Sequence, residues 1–156
     1  MDVFWEELTS GLPDARQLVH VLIRMIAATV LGAVVGWQRE KAGKPAGLRT
    51  HMLVSLGTAV VVLACSGVGM SPDSVSRVVQ GIVTGIGFVG AGAILKLDRE
   101  QEIQGLTTAA GIWMTAAIGI AVGLGTLGIA LLATVFTLVI LALAGLLDTD
   151  QQKQND

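Results

Sequence analysis

Charged residues fall in clumps along this chain. Between the clumps lie three stretches without Asp, Glu, Lys or Arg, residues 50–72, 78–95 and 103–147. A helix crossing a bilayer needs about 20 apolar residues, each rising about 1.5 Å, so the longest stretch holds two spans. A further apolar run follows Pro13 and Asp14, residues suited to a helix start. The pattern predicts five helices, over 17–37, 50–69, 75–96, 106–123 and 125–147. The second ends at a Gly-Val-Gly just before Ser71 and Pro72, and only Gly123 to Thr126 separate the last two, which form a tight hairpin. The expected fold is an all-α membrane protein. Its transmembrane domain covers 17–147, between an interfacial N-terminal segment (1–16) and a cytoplasmic tail (148–156). In the first segment Phe4, Trp5 and Leu8 share one helical face, and its acidic start is unlike the basic start of a signal peptide.

Composition agrees. Hydrophobic residues make up 53% of the 156 and charged residues 14%, with a mean hydropathy of +0.72. A soluble domain carries about 25% charged residues, so this chain cannot clothe a globule in a polar surface. A disordered chain and a nucleic-acid binder are excluded with it. The single cysteine, Cys65, rules out an intrachain disulfide and a Cys-based zinc site. The net charge of −2 says nothing about partners, because in a membrane protein charge matters by side. With the N-terminus outside, the inner side carries Arg39, Lys41, Lys44, Arg49, Lys96, Arg99 and Lys153, and the outer side only Arg16 and Arg77. Positive residues stay inside, so the expectation is N-out and C-in.

Twenty glycines are more than the turns need. Ala28, Gly32 and Gly36 are spaced by four, as are Gly81 and Gly85, and Gly111, Thr115 and Gly119 form a similar row. Small residues at this spacing let helices approach closely in lipid. Gly32, Gly36, Gly85, Gly87, Gly90 and Gly92 are therefore expected at helix contacts, within the chain or in a homodimer. The fifth helix, rich in Leu, Ile, Val and Phe, is expected to face lipid.

A shift of 58 residues aligns the chain with itself without a gap. Gly32 and Ala33 fall on Gly90 and Ala91, Glu40 and Lys41 on Asp98 and Arg99, and Gly47, Leu48 and Thr50 on Gly105, Leu106 and Thr108. Two pseudo-symmetric hairpins plus one extra helix follow. Each inner loop ends in Gly-Leu-x-Thr where the next helix starts, and threonine is a good N-cap. Two helix N-termini, which favour anions, would face the cytosol beside Arg49. Ordinary capping and a site for an anionic group both fit. The candidate site is Arg49, Thr50, Thr107 and Thr108, with Glu40 and Asp98 as internal acids and a lipid phosphate as the external one.

Arg24 is the one charge well inside a span, a position that marks a functional candidate by default. It can snorkel outward or pair, with Asp73 the available acid, and Arg77 has the same two readings. The run Gly85-Ile-Gly87-Phe-Val-Gly90 imitates a dinucleotide fingerprint but lacks the strand before it. Gln80, Thr84, Ser55, Thr58, Thr107, Thr108 and Thr115 are expected mostly to bond backbone carbonyls one turn back. His20 and His51 lie on opposite sides and cannot share a metal. No catalytic set or cofactor motif can be assembled, and no acid lies inside a span, so neither an enzyme nor a proton- or sodium-coupled transporter is expected.

Three blocks give the chain a resemblance to the MgtC/SapB family of bacterial inner-membrane proteins. They are LGAVVGWQRE with AGLRTHMLVSLGTA (31–40 and 46–59), RVVQGIVTGIGFVGAGAI (77–94) and GLTTAAGIWMTAAIGIAVGLG (105–125). Where the family pattern has Glu-Arg after the first helix, this chain has Gln38-Arg39 followed by Glu40. Larger members carry a soluble C-terminal domain, whereas here a short tail follows the last span. The resemblance implies a multi-pass inner-membrane protein tied to magnesium limitation and, in pathogens, to survival inside host cells. It also implies regulation of other membrane machinery, the ATP synthase among the possible partners. Members have been named magnesium transporters as well, and transport of magnesium or another small ion is the alternative. The spans hold no acidic cage for hydrated magnesium.

Overall fold

A computed structural model describes residues 3–4, 14–96 and 103–154. Among them are five long helices: α1 (Ala15–Lys41), α2 (Leu48–Gly67), α3 (Pro72–Gly92), α4 (Leu106–Gly123) and α5 (Leu127–Gln154). A two-residue antiparallel ladder, β1 (Leu95–Lys96) on β2 (Ile103–Gln104), interrupts the link between α3 and α4. The fold is that of an all-α membrane protein. Helices α1 to α4 are long and apolar enough to cross a bilayer, and α5 carries the shorter apolar run Leu127–Leu143. The interfacial helix expected at the N-terminus falls largely outside the described residues, although Val3 and Phe4 are helical and exposed.

Local chemistry sets the helix ends. Asp14 caps α1, its carboxylate accepting from Gln17 N at 2.7 Å. Ser71 caps α3 with Pro72 in the first position, where a missing N–H costs nothing. α1 runs past its expected end at residue 37 as far as Lys41, which takes Gln38, Arg39 and Glu40 out of the loop and into the helix. α3 stops at Gly92, short of the expected residue 96, because the chain turns into the ladder. Residues 148–154 continue α5 as helix.

The core is a sandwich of α1, α2 and α4. Contacts advance in step along α2 and α4, from His51 against Gly111 to Val62 against Gly123, so these two helices run parallel. The repeat requires this. α1 packs antiparallel to both, burying Ala28, Leu31 and Val35 against Ala59, Ile118 and Val122. Glycine makes the approach possible. A Cβ on Gly32 would lie 2.6 Å from the His51 carbonyl oxygen, and one on Gly36 2.7 Å from Leu48 Cα. A Cβ on Gly119 would strike Thr58 Oγ1 and the Ser55 carbonyl, and one on Gly123 would lie 2.7 Å from Val62 Cβ.

The second hairpin does not repeat this packing. A Cβ added at Gly90 would lie 3.7 Å from Ala109 Cβ, an ordinary contact, while Cβ atoms added at Gly81, Gly85, Gly87 and Gly92 would meet nothing within 4 Å. The contacts expected at Gly85, Gly87 and Gly92 are thus not made among the described residues. At the repeat position of Gly36 stands Ile94, a bulky residue beyond the end of α3. α5 lies outermost, as expected. Ile129, Leu132, Phe136 and Ile140 are exposed on it, and Ala130, Thr134 and Thr137 face inward. Both threonine hydroxyls donate to carbonyls one turn back.

Candidate functional site

Buried polar groups gather where α1 ends and α2 and α4 begin. Ala28, Gly32, Val35 and Gly36 line the inward face of α1, and Arg39 continues that face by one more turn. It is only 2% exposed. Its Nη2 donates to Thr108 Oγ1 at 3.1 Å, while its Nε is buried with no hydrogen-bond partner. Glu40, next in sequence, points the other way. Its Oε2 accepts from Leu48 N at 2.8 Å and closes the N-terminus of α2. A Cβ at Gly47 would lie 2.7 Å from that oxygen and would push the carboxylate aside.

One turn into α2, His51 is wholly buried. Its Nδ1 lies 2.7 Å from Thr115 Oγ1, and that hydroxyl donates its proton to the Gly111 carbonyl at 2.9 Å. The His51 Nδ1–H must therefore be the donor of the pair. A Cβ added at Gly111 would sit in ordinary contact with the ring, 3.6 Å from Cε1. Further along, Thr58 Oγ1 reaches Val54 O at 3.0 Å and Ala116 O at 3.2 Å, tying α2 to α4. Ser55 Oγ and His51 Nε2 are buried without hydrogen bonds. Ser55, Thr58 and Thr115 thus extend a polar seam from Arg39 toward the middle of the bundle.

The Gly-Leu-x-Thr elements work differently from the expectation. Gly47 and Gly105 are the N-cap residues, and the threonines lie in the first turns. Thr50 is half-buried, Thr107 and Arg49 are exposed, and only Thr108 joins the buried cluster. Asp98 lies outside the described residues.

At the opposite end Arg24 is half-buried and does not pair with Asp73. Its Nη1 donates to the Gly123 carbonyl at 3.2 Å, capping the C-terminus of α4, where a cation complements the helix dipole. Arg77 and Asp73 are exposed in the first turns of α3. Trp37 is exposed near the end of α1, with Lys41 Nζ 3.9 Å above its ring. Among the described residues no group of three His, Cys, Asp or Glu side chains could hold a metal.

Sequence reasoning placed Arg39 among the solvated loop charges and left His51 without a role. The signal for Arg39 was the inward row through Ala28, Gly32 and Gly36. For His51 it was the spacing of His51, Ser55, Thr58 and Val62 along one face.

Comparison with known proteins follows the same segments. The MgtC family model matches residues 25–149. The chain is 43% identical over 130 residues to the putative magnesium transporter YhiD of Escherichia coli, covering 77% of this chain and 58% of that one. It is 42% identical over 130 residues to the protein SrpB of Synechococcus elongatus, with 76% and 71% covered. It is 44% identical over 117 residues to the protein MgtC of Salmonella typhimurium, with 75% and 49% covered. The chain thus spans about half the length of MgtC and somewhat more of YhiD. No solved structure matches it.

Proposed function

The chain belongs to the MgtC family of membrane proteins, and from that premise we propose that it regulates other integral membrane proteins when magnesium is limiting, rather than carrying an ion itself. The observation that carries this reading is the outward face of α3. Gly81 and Gly85, one turn apart, leave a strip of α3 without side chains open to the surroundings, beside exposed Gln80 and Thr84. Between helices in lipid, attraction comes from close packing and interhelical hydrogen bonds. A glycine strip beside an amide suits a partner helix, of another membrane protein or of a second copy, better than it suits acyl chains. By contrast, the polar seam of His51, Ser55 and Thr115 is buried inside the bundle, with His51 and Thr115 hydrogen-bonded to each other. This supports a bracing role over a conduit.

Magnesium flux and growth test the proposal together. Liposomes containing the protein should pass magnesium no faster than empty ones. A strain lacking the protein should regain growth at low magnesium with the wild type but not with Gly85→Leu at equal abundance. Protein-dependent magnesium flux, or full rescue by Gly85→Leu, would overturn it.

The proposal places five spans in the bacterial inner membrane, N-terminus outside, with the Arg39 end of the bundle in the cytosol. In a Cys65→Ala background, a cysteine at Gly43 should resist an impermeant thiol reagent in intact cells and one at Ser74 should react. Gly43 is exposed on the protein and Ser74 is half-buried. The reverse labelling would invert the orientation.

A further inference from the structure

We propose that the junction of α1 and α4 binds a phosphate-class oxyanion, held by the Arg39 guanidinium and the first turn of α4. Three observations converge there. Arg39 is 2% exposed, and of its five N–H donors only one, on Nη2, has a partner among the described residues, at Thr108 Oγ1. No carboxylate among the described residues pairs with it. Glu40, the nearest acid in sequence, is spent on the N-terminus of α2. The carbonyl end of α1 offsets only part of a full charge, and a buried charge left unpaired is strongly unfavourable.

The second observation is the helix start itself. α2 is closed by the Glu40 carboxylate, but α4 begins at Gly105, which has no side chain to accept from its first N–H groups. Leu106 and Thr107 are exposed, so this turn is open on the side from which a ligand arrives.

The third is the Thr108 hydroxyl. Thr29, Thr58, Thr84, Thr115, Thr134 and Thr137 each donate to a carbonyl four residues back. Thr108 accepts from Arg39, and its own proton has no acceptor among the described residues. A guanidinium fork, a free hydroxyl and unpaired helix N–H groups are together a donor set for a tetrahedral oxyanion. Trp37 and Lys41, at the same end of α1, put the junction at headgroup level. The phosphate can therefore come from an anionic lipid or from solution. This inference does not rest on the α3 strip.

The test uses the full chain in dodecyl maltoside, which carries no phosphate, with thermal unfolding as the readout. Inorganic phosphate is titrated at constant ionic strength, and short-chain phosphatidylglycerol separately. Saturable stabilisation by inorganic phosphate assigns a free anion, and stabilisation by the lipid alone assigns a headgroup. In either case Arg39→Lys, which keeps the charge but loses the fork, should weaken the apparent affinity about tenfold. Thr108→Val should weaken it too, and Arg49→Gln, at an exposed position, should not. If Arg39→Lys does not fold, Thr108→Val decides. No stabilisation by either ligand, or stabilisation undiminished in the variants at Arg39 and Thr108, overturns the proposal.

Discussion

Gly119→Leu should abolish the fold, while Gly85→Leu should leave the thermal midpoint of the purified protein nearly unchanged. At Gly119 even the first side-chain carbon would collide with Thr58 Oγ1 and the Ser55 carbonyl. The second of these is backbone of a packed helix and cannot rotate away. Overpacking a core costs about 1–3 kcal/mol when side chains can yield, and here the helices must separate, so the cost exceeds that range. Separation also breaks the Thr58 to Ala116 link and exposes the His51–Thr115 pair. Gly32→Leu should behave like Gly119→Leu, because its neighbour is the His51 carbonyl. At Gly85 the added carbon meets open space. Thermal melts and size-exclusion profiles in detergent measure the contrast. Equal tolerance at Gly119 and Gly85 would mean that α2 and α4 do not approach as described.

Gly105→Ala should be far more damaging than the same change at Gly43. Gly105 has φ of +95°, in the region that residues with a Cβ rarely adopt. That conformation costs an ordinary residue about 1–2 kcal/mol. A Cβ there would also strike the Ala93 carbonyl oxygen at the end of α3. The two penalties add, because relieving the clash means moving the turn that sets α3 against α4. Gly43, also at positive φ (+65°), has nothing within 4 Å of its added carbon, so Gly43→Ala bears the backbone cost alone. A Gly105→Ala protein melting within a degree or two of Gly43→Ala would contradict the contact.

Much of the architecture was legible in the one-dimensional pattern, since lipid imposes a simple rule. Every backbone group must be satisfied within its own segment, so apolar runs become helices and charge clumps become links. Five helices, a lipid-facing last helix and parallel second and fourth helices all follow from run lengths and the 58-residue repeat. The threonines that bond carbonyls one turn back follow from the same demand. Even the approach of α1 to α2 was written in the spacing of Gly32 and Gly36.

What the sequence left open is which neighbour each face meets. Arg39 looked like one solvated charge among Lys41, Lys44 and Arg49, because only the continuation of α1 beyond Trp37 turns it inward. Arg24 had two readings, and neither included the Gly123 carbonyl, 99 residues away in sequence. Most glycines of α3 follow the same local rule as those of α1 yet face outward, Gly90 excepted. Local periodicity specifies that a helix has a small-residue face. Which helix occupies that face depends on steric fit between segments far apart in the chain: α1 seats Gly32 and Gly36 against α2 in the core, whereas α3 lies at the edge with most of its glycines uncovered.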